Sequence, residues 1–497
     1  MKNLGLPLSS FYFSNPGISK FIIPISLVLF NLILKIIFLD HRDIAMDEPF
    51  TIFYAQADFY TLFEMLKTEN NPPLFFILLH FWIKVFGISA FSVRFLPMIF
   101  STLTAPVIYF LGKRFFSHRV GLVAALIFTF SNYQLLFAHE ARIYSLFGLL
   151  TVVSMYLFLQ LSNRHDLRSA IFLAIINILL VYSHFFGFYI LVIQLTSCLV
   201  IKKFRIRVLK LYMVTLVIVM ISYIPYLSIF ISRFLLTSMH GTWVPQPILS
   251  DLYKMVWKFS NAPVTTVFFL FLLFSAFIMF IVRYIRSIVS LSNKTSDTKS
   301  DTTSVIFFWF FLPYFLMFFI SFKIPMFLDR YLVFISFGYY FLIGISVSYL
   351  GRKKWIFYTL SFISILMMAV TFKPDADNKR RVKEVTQIIK KLKTKESLVV
   401  ICPSWLDLGF TYYYNQDFFR DYKNLKKNLI KEKIFAVNDI SEINSTIFSK
   451  ASNVIYLEEW ATLVDKDNQI YKKLSSHFSK QEQYKIFESF TIYNFIR

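Results

Sequence analysis

Long apolar segments fill most of the first 370 residues and constrain the fold more than any other feature. A bilayer has a hydrocarbon core about 30 Å thick, and a helix needs about 20 apolar residues to cross it. With 57% hydrophobic and 16% charged residues, the chain does not have the composition of a soluble enzyme. Eleven segments have a suitable length: 21–39, 95–112, 120–138, 143–161, 169–183, 186–201, 208–231, 263–283, 305–322, 327–349 and 354–372. The sequence therefore predicts a polytopic α-helical membrane protein with about eleven spans.

A twelfth apolar segment, 71–87, is interpreted differently. It is shorter than the others, opens with two prolines and carries His80 and Lys84. Asn71 and Pro72 are typical of a helix cap and a first helical position. We interpret the segment as an interfacial helix, and a full membrane crossing is the alternative.

Basic residues in the short loops predict the orientation, because Lys and Arg accumulate on the cytoplasmic side. If 71–87 does not cross, the basic clusters fall on one face, at 112–119, 162–168, 201–210, 283–300 and 351–354. The N-terminus is then cytoplasmic, and the loop 40–94 and everything after 372 lie outside. Topology and anionic lipids account for the net charge of +23, so nucleic acid is not an expected partner. We expect a multi-pass protein of a bacterial inner membrane.

The composition changes after residue 372, where Lys, Asp, Asn and Ser become common. Four segments there have the pattern of short strands, alternating with helical stretches: 396–403, 433–438, 453–460 and 484–496. We predict a transmembrane module over 1–372, with an outward first loop at 40–94. A small periplasmic or extracellular α/β domain with an accessory role follows over 373–497.

Two adjacent carboxylates, Asp47 and Glu48, follow the first apolar segment in the stretch HRDIAMDEPF. One of them is explained by capping a helix that has Pro49 in its first turn. Capping does not explain both, and a carboxylate beside an apolar surface is a candidate general base. We assign that role to Asp47 before Glu48, whose side chain is expected to point elsewhere.

Other polar residues lie at the outward ends of predicted spans, where ionisable groups tend to be functional. Arg94 begins a span and is explained equally by snorkelling or by pairing with an anion. The remaining candidates lie in the turn HEARIY, in the segment YSHFFGF and in the turn LDRYL: His139, Glu140, Arg142, Tyr144, His184, Asp329, Arg330 and Tyr331. Arginine holds phosphate or carboxylate oxygens with a two-pronged fork. These residues and Asn71 are therefore the candidate substrate contacts.

The order of these motifs resembles that of a known family. A DE pair after the first span, the NPPL helix, SVRFLPMIF and the HEAR turn resemble the GT-C glycosyltransferases. The similarity is strongest to the bacterial family-39-like proteins related to protein O-mannosyltransferases and aminoarabinose transferases. It covers roughly residues 20–200 well and the later spans by layout.

The resemblance implies an inverting glycosyltransferase that moves a hexosyl or pentosyl group from a polyprenyl-phosphate carrier to a protein, lipid or glycan acceptor at the outer face. Asp47 would be the base, with Glu48 beside it, and Arg94, Arg142 and Arg330 would bind the donor phosphate or hold the carboxylates. Some relatives have an acid in place of Tyr144 and a basic or histidine residue in place of Asn71. No metal is assigned, and a divalent cation is allowed but not required by the sequence.

Two other classes of protein remain as alternatives. A secondary transporter would have internal repeats and charged residues near the bilayer midplane, whereas the charges here lie at the outer rim. A ligase or polymerase acting on lipid-linked glycans would carry its arginines in a large late outer loop, and 232–262 contains one arginine, Arg233.

Overall fold

The computed structural model describes residues 19–240, 243–289, 298–377, 379–442, 451–486 and 490–497. Most of these residues up to 374 are helical, which confirms the predicted helical class. The helices are Ser19–Ile36, Glu48–Gln56, Phe59–Leu66, Leu74–Phe86, Ala90–Phe115, His118–Thr129, Asn132–Ala138, Tyr144–Arg164, Leu167–Ser183, Gly187–Val200, Lys202–Arg207, Leu209–His240, Leu249–Phe259, Pro263–Val289, Thr298–Ile320, Val333–Leu350 and Lys354–Val370. A short 3-10 helix, Asp329–Leu332, precedes Val333–Leu350.

Fewer of these helices than predicted are individually long and apolar enough to cross a bilayer. Within the described residues five helices qualify, or seven if each of two bent pairs is one span. The shorter apolar helices include 21–36, 167–183, 187–200 and 354–370, where the sequence predicts full spans, and 74–86, where it predicts an interfacial helix.

The predicted span 120–138 is bent by 63° between His118–Thr129 and Asn132–Ala138. Polar side chains satisfy the backbone at the break: the Asn261 amide oxygen accepts from the Asn132 backbone N–H at 2.8 Å. The same amide of Asn261 donates to the Phe130 carbonyl at 2.7 Å. Such compensation allows a helix to break at membrane depth.

The fold divides into two compact units that do not follow chain order. Unit 1 comprises Met1–Ile37, Pro97–Ala138 and Ile143–Pro374, and unit 2 comprises Phe38–Leu96, His139–Arg142 and Asp375–Arg497. Unit 2 therefore contains the first predicted outward loop, the HEAR turn and the C-terminal segment.

Three buried polar side chains of unit 1 satisfy one another. Ser154 donates to the Asn177 amide oxygen at 2.6 Å, Asn177 donates to Gln194 at 3.0 Å, and Gln194 donates back to the Ser154 hydroxyl at 2.7 Å. Because an unpaired polar group costs several kcal/mol in an apolar interior, this closed network links three helices of the unit.

Unit 2 contains a five-stranded sheet with the order β2-β1-β3-β5-β4. Its strands are β1 Leu398–Cys402, β2 Ile434–Ala436, β3 Asn453–Glu458, β4 Lys480–Ile486 and β5 Phe490–Ile496. β1 runs parallel to β2 and β3, whereas β5 is antiparallel to β3 and β4. The predicted strands at 396–403, 433–438 and 453–460 are confirmed. The single strand predicted at 484–496 is wrong, because that segment holds the end of β4 and all of β5.

The C-terminal segment also contains short helices: Val382–Leu392, Asp407–Tyr414, Gln416–Arg420, Leu425–Lys431 and Gln469–His477. The described part of this segment also has three 3-10 helices, Ser404–Leu406, Ile440–Glu442 and Ala461–Leu463. The helices and strands confirm the predicted α/β class of this segment.

The C-terminal segment holds the first loop through direct hydrogen bonds within unit 2. The Tyr413 hydroxyl accepts from the Ile44 backbone N–H at 2.7 Å, and the Asp43 carboxylate accepts from the Lys383 backbone N–H at 2.9 Å. These contacts lie within four residues of Asp47 in the chain. The fold of the C-terminal segment thus helps to determine the conformation of the acidic stretch.

Candidate functional site

Glu48 is the buried centre of the acidic stretch. Its carboxylate accepts from Arg94 Nε at 2.8 Å and Arg94 Nη2 at 2.6 Å, and it also accepts from the Ala141 backbone N–H at 2.8 Å. The side chains of Arg94 and Glu48 are 1% and 5% exposed. Arg94 also donates to the carbonyls of Arg42 at 2.7 Å and Asp43 at 3.0 Å. This bidentate pair joins three separate chain segments.

Asp47 differs from its neighbour in exposure and in partners. Its side chain is 42% exposed, and one carboxylate oxygen lies 3.7 Å from Arg142 Nη2. Asp47 precedes the helix Glu48–Gln56, but its side chain makes no capping hydrogen bond. The preceding Met46 has a φ of 56°, which is uncommon for a residue other than glycine. The backbone therefore turns sharply just before Asp47, and its carboxylate is not used as a cap.

The HEAR turn supplies the cation beside Asp47. Arg142 is nearly buried, and its Nη1 donates to the Thr51 hydroxyl at 2.6 Å. The same nitrogen lies 3.5 Å from the Asp47 carbonyl oxygen. Glu140 and Arg142 close the turn with a backbone hydrogen bond of 2.7 Å, and His139 is buried.

Arg42 is a further cation of this region, and the sequence pattern did not single it out. Burial lowers its pKa, an effect opposed mainly by nearby Glu140. Its Nε donates to the Ala376 carbonyl at 2.6 Å. Arg42 and Glu140 thus belong to the same electrostatic cluster as Glu48. Arg42 lies in the stretch HRDIAMDEPF, five residues before Asp47, and this proximity in the sequence could have identified it as a candidate.

Asn71 is buried, and its amide donates to a Glu69 carboxylate oxygen at 3.4 Å. The predicted cap is wrong by two residues, because the helix begins at Leu74 and Pro73 is its N-cap. The Pro73 carbonyl accepts the first helical hydrogen bond, from Ile77 at 3.0 Å. Pro73 disfavours helical backbone at the preceding Pro72, which delays the start of the helix.

Three candidates of unit 1 form an aromatic cluster: Tyr144, His184 and Tyr331. The His184 ring centroid lies 6.2 Å from that of Tyr144 and 6.1 Å from that of Tyr331. His184 Nδ1 accepts from the Phe186 backbone N–H at 3.1 Å, and its ring stacks on Phe147 at 4.9 Å. The structure therefore brings together residues that are nearly 190 positions apart.

Asp329 forms an ion pair that is more exposed than the pair of Glu48 and Arg94. Asp329 Oδ2 lies 2.6 Å from Lys258 Nζ, and Oδ1 accepts from the Arg330 backbone N–H at 2.7 Å. The Arg330 guanidinium lies 5.5 Å from the ring centroid of Trp243. The sequence pattern missed Lys258, which is in the last turn of a helix 71 residues before its partner.

A cavity of about 290 Å³ lies beside Asp47 within unit 2. Asp47 and its neighbours form one wall, and residues of the C-terminal segment form the rest, including Arg380, Trp405, Gly409 and Trp460. Among the described residues, no three His, Cys, Asp or Glu side chains are grouped so as to hold a metal ion. An exposed carboxylate, a buried arginine and a cavity thus lie side by side in unit 2.

Comparisons with known proteins define the class to which this fold belongs. Residues 70–229 match the family model described as dolichyl-phosphate-mannose-protein mannosyltransferase. The structure resembles the crystal structure of ArnT from Cupriavidus metallidurans bound to undecaprenyl phosphate, with a TM-score of 0.58 and 10% identity over 95% of this chain and 97% of that one. The apo state of the same protein gives a TM-score of 0.58 and 10% identity over 96% and 98%. No curated protein sequence matches significantly.

A more distant similarity links the chain to the apo crystal structure of the Archaeoglobus fulgidus oligosaccharyltransferase. It has a TM-score of 0.50 and 10% identity, and it covers 88% of this chain and 70% of that one. Together, the match over 70–229 and the ArnT likeness confirm the predicted GT-C fold.

Proposed function

We propose that the protein is an integral membrane glycosyltransferase that moves a sugar from a polyprenyl-phosphate donor to an acceptor hydroxyl. The family match to mannosyltransferases supports sugar transfer, and the fold shared with an ArnT bound to undecaprenyl phosphate supports a lipid-linked donor. The acceptor belongs to a protein, a lipid or a glycan. The reaction takes place at the outer face of a bacterial inner membrane, as the basic loops predict.

The observation that carries this proposal is the different environment of two adjacent carboxylates. Both oxygens of Glu48 accept hydrogen bonds from buried Arg94, so Glu48 positions the loop. The carboxylate of Asp47 is 42% exposed beside Arg142. A general base must be able to reach the proton that it removes, and Asp47 meets that condition.

In the proposed mechanism, Asp47 accepts the proton of the acceptor hydroxyl while the hydroxyl oxygen forms a bond to the anomeric carbon. The bond between that carbon and the phosphate oxygen breaks, and its electron pair leaves with the polyprenyl phosphate. Attack on the face opposite the phosphate inverts the anomeric configuration. A cation stabilises the negative charge of the leaving phosphate.

Arg142 has a separate role in this proposal. Its contacts with Asp47 and the Thr51 hydroxyl fix the orientation of the carboxylate. Arg142 is therefore a positioning residue for the base. Arg94, which the resemblance offers either to phosphate or to a carboxylate, holds Glu48.

The test uses the purified protein in nanodiscs with radiolabelled undecaprenyl-phosphate hexoses and pentoses, supplied with extracts of glycans, lipids and proteins as acceptors. We expect one donor to be consumed and the label to appear in one acceptor class, with the opposite anomeric configuration by NMR. A protein that consumes no such donor, or a product that retains the donor configuration, would contradict the proposal.

Orientation is tested with a cysteine at Tyr60, an exposed residue of the first loop, since both native cysteines are buried. A membrane-impermeant maleimide added to intact cells should label Tyr60→Cys. Labelling that occurs only after the cells are lysed would place the loop in the cytoplasm and exclude outer-face transfer.

A further inference from the structure

We propose that the C-terminal segment forms the acceptor subsite, and that its cavity beside Asp47 binds a saccharide ring whose hydroxyl is glycosylated. This inference rests on the proposed function and names the substrate class of the same site. It assigns a direct role in substrate binding to the segment 375–497, for which the sequence predicts an accessory role. The saccharide is either a free glycan or the headgroup of a glycolipid, because the ring chemistry is the same.

The first observation is the composition of the cavity wall. The cavity of about 290 Å³ is lined by Trp405 and Trp460, which are 39% and 51% exposed, and by apolar side chains that include Val382 and Leu457. Its size is close to the lower limit of about 300 Å³ that is usual for a small-molecule site. Exposed indole rings have broad apolar faces and a polar N–H, a combination that suits the C–H face and hydroxyl edge of a sugar.

The second observation is a polar pair fixed at the same wall. Arg380 forms an ion pair with Glu459, and both side chains are largely buried. The Arg380 guanidinium lies 4.8 Å from the Trp460 ring centroid, as in a cation–π contact. A pre-positioned guanidinium and carboxylate beside an indole provide donors and acceptors for neighbouring hydroxyls. A lipid tail would leave these polar groups unused.

The strand topology favours a saccharide over a peptide. An extended peptide commonly binds by adding a strand to an exposed sheet edge, and the edge strands here are β2 and β4. The sheet residues that line the cavity, Leu457 and Phe490, belong to β3 and β5, which are internal strands. The backbone of these two strands is already paired on both sides, so a peptide cannot add a strand at the cavity.

The third observation is the contact between the cavity wall and the acidic loop. Gly409 lies in the helix Asp407–Tyr414, and a Cβ built on it would be 3.7 Å from Pro49 Cγ and 3.8 Å from Val382 Cγ1. Pro49 is two residues after Asp47. A ring held at this wall is thus adjacent to the segment that carries the base, which is the arrangement that proximity catalysis requires.

Two variants test the subsite in the full-length protein. Trp405→Ala removes one stacking surface, and Gly409→Leu fills the cavity, since a Cβ alone makes only ordinary van der Waals contacts there. Trp355→Ala is the matched control, because Trp355 is an exposed tryptophan of unit 1. Folding of each variant is checked by size-exclusion chromatography and thermal unfolding.

The probes are methyl glycosides of glucose, galactose and N-acetylglucosamine, a glycolipid with a disaccharide headgroup, and a serine- and threonine-containing peptide. Each serves as acceptor in the donor assay, and binding of the methyl glycosides is measured separately by saturation-transfer NMR. We expect wild type to bind or glycosylate a saccharide. Trp405→Ala and Gly409→Leu should raise the acceptor KM or Kd by about tenfold, with the donor KM within about twofold of wild type.

Comparison of the methyl glycosides with the glycolipid identifies the source of the ring. The inference is overturned if wild type uses the peptide alone, if it neither binds nor glycosylates any saccharide, or if the folded variants match the Trp355→Ala control. It is also overturned if the variants raise the donor KM instead. Failure of the proposed function looks different: no donor is consumed in any arm, whatever the NMR shows.

Discussion

Two carboxylate–cation pairs, one in each unit, have the same chemistry in opposite surroundings. In unit 2, Glu48 and Arg94 are 5% and 1% exposed and bridge three chain segments. In unit 1, Asp329 and Lys258 are 24% and 49% exposed. A buried pair is costly to break because the remaining charge is left without its partner, whereas an exposed pair contributes little. The comparison teaches that the Glu48–Arg94 pair should contribute far more to stability than the Asp329–Lys258 pair.

The largest expected effect is on stability, from Arg94→Ala. Leaving the Glu48 carboxylate buried without its guanidinium should destabilise the protein by about 3–5 kcal/mol. The measurement is thermal unfolding in detergent, with Arg420→Ala as a control because that arginine is exposed. The double variant Arg94→Ala with Glu48→Ala should recover part of the loss. Equal unfolding temperatures for Arg94→Ala and the control would contradict the structural role.

A third carboxylate, Asp407, sharpens the comparison because burial raises its pKa to about 6, above its ordinary value of 3.8. As pH rises from about 4 to 6 the unfolded state ionises first, so this group progressively destabilises the folded state. Above the folded pKa the penalty is complete. Asp407→Asn should therefore be more stable than wild type at pH 7, by roughly 2 kcal/mol.

The advantage of Asp407→Asn should shrink toward pH 4, where the wild-type carboxyl group is protonated in the folded protein. Unfolding temperatures across pH 4–7, with exposed Asp417→Asn as the control, measure the trend. A pH-independent difference would show that Asp407 does not titrate in this range.

The effect of Arg142→Lys should be smaller and confined to activity. Lysine keeps the charge but loses the planar fork that contacts both Asp47 and Thr51. We expect about a tenfold lower transfer rate with an unchanged donor KM, because only the orientation of the base is affected. A selective rise in donor KM would instead make Arg142 a phosphate ligand.

The smallest effect is expected from Lys258→Ala, at the exposed pair. Its unfolding free energy, measured by thermal unfolding in detergent, should change by less than about 1 kcal/mol. Lys254→Ala is the matched control, since Lys254 lies on the same helix and is similarly exposed. A loss of stability for Lys258→Ala well above that of Lys254→Ala would contradict the weak contribution of the exposed pair.

The sequence predicts the features that depend on local composition. Long apolar runs locate the helices, and short apolar runs between helical stretches locate β1, β2 and β3. The bend after Thr129 was missed because it depends on Asn261, a side chain more than 120 residues away. The strand at 484–496 was misjudged because hydropathy alone does not locate the boundary between β4 and β5.

The sequence likewise predicts the candidate residues of the site but not their tertiary contacts. The exposure of one carboxylate and the burial of its neighbour follow from tertiary contacts with Arg94 and Ala141, which no local pattern contains. The sequence indicates that Asp47 and Glu48 differ, since adjacent residues at a helix start point in different directions. The cavity wall was missed because Arg380, Trp405 and Trp460 come together only in the folded C-terminal segment.

The most direct test of the central claim compares the transfer rates of Asp47→Asn and Asp417→Asn in nanodiscs with the donor that wild type consumes. Asparagine preserves the shape of the side chain but accepts no proton, so the rate of Asp47→Asn should fall by about 10²–10⁴-fold. Its unfolding temperature should match that of Asp417→Asn. Transfer by Asp47→Asn at the wild-type rate would contradict the assignment of Asp47 as the general base.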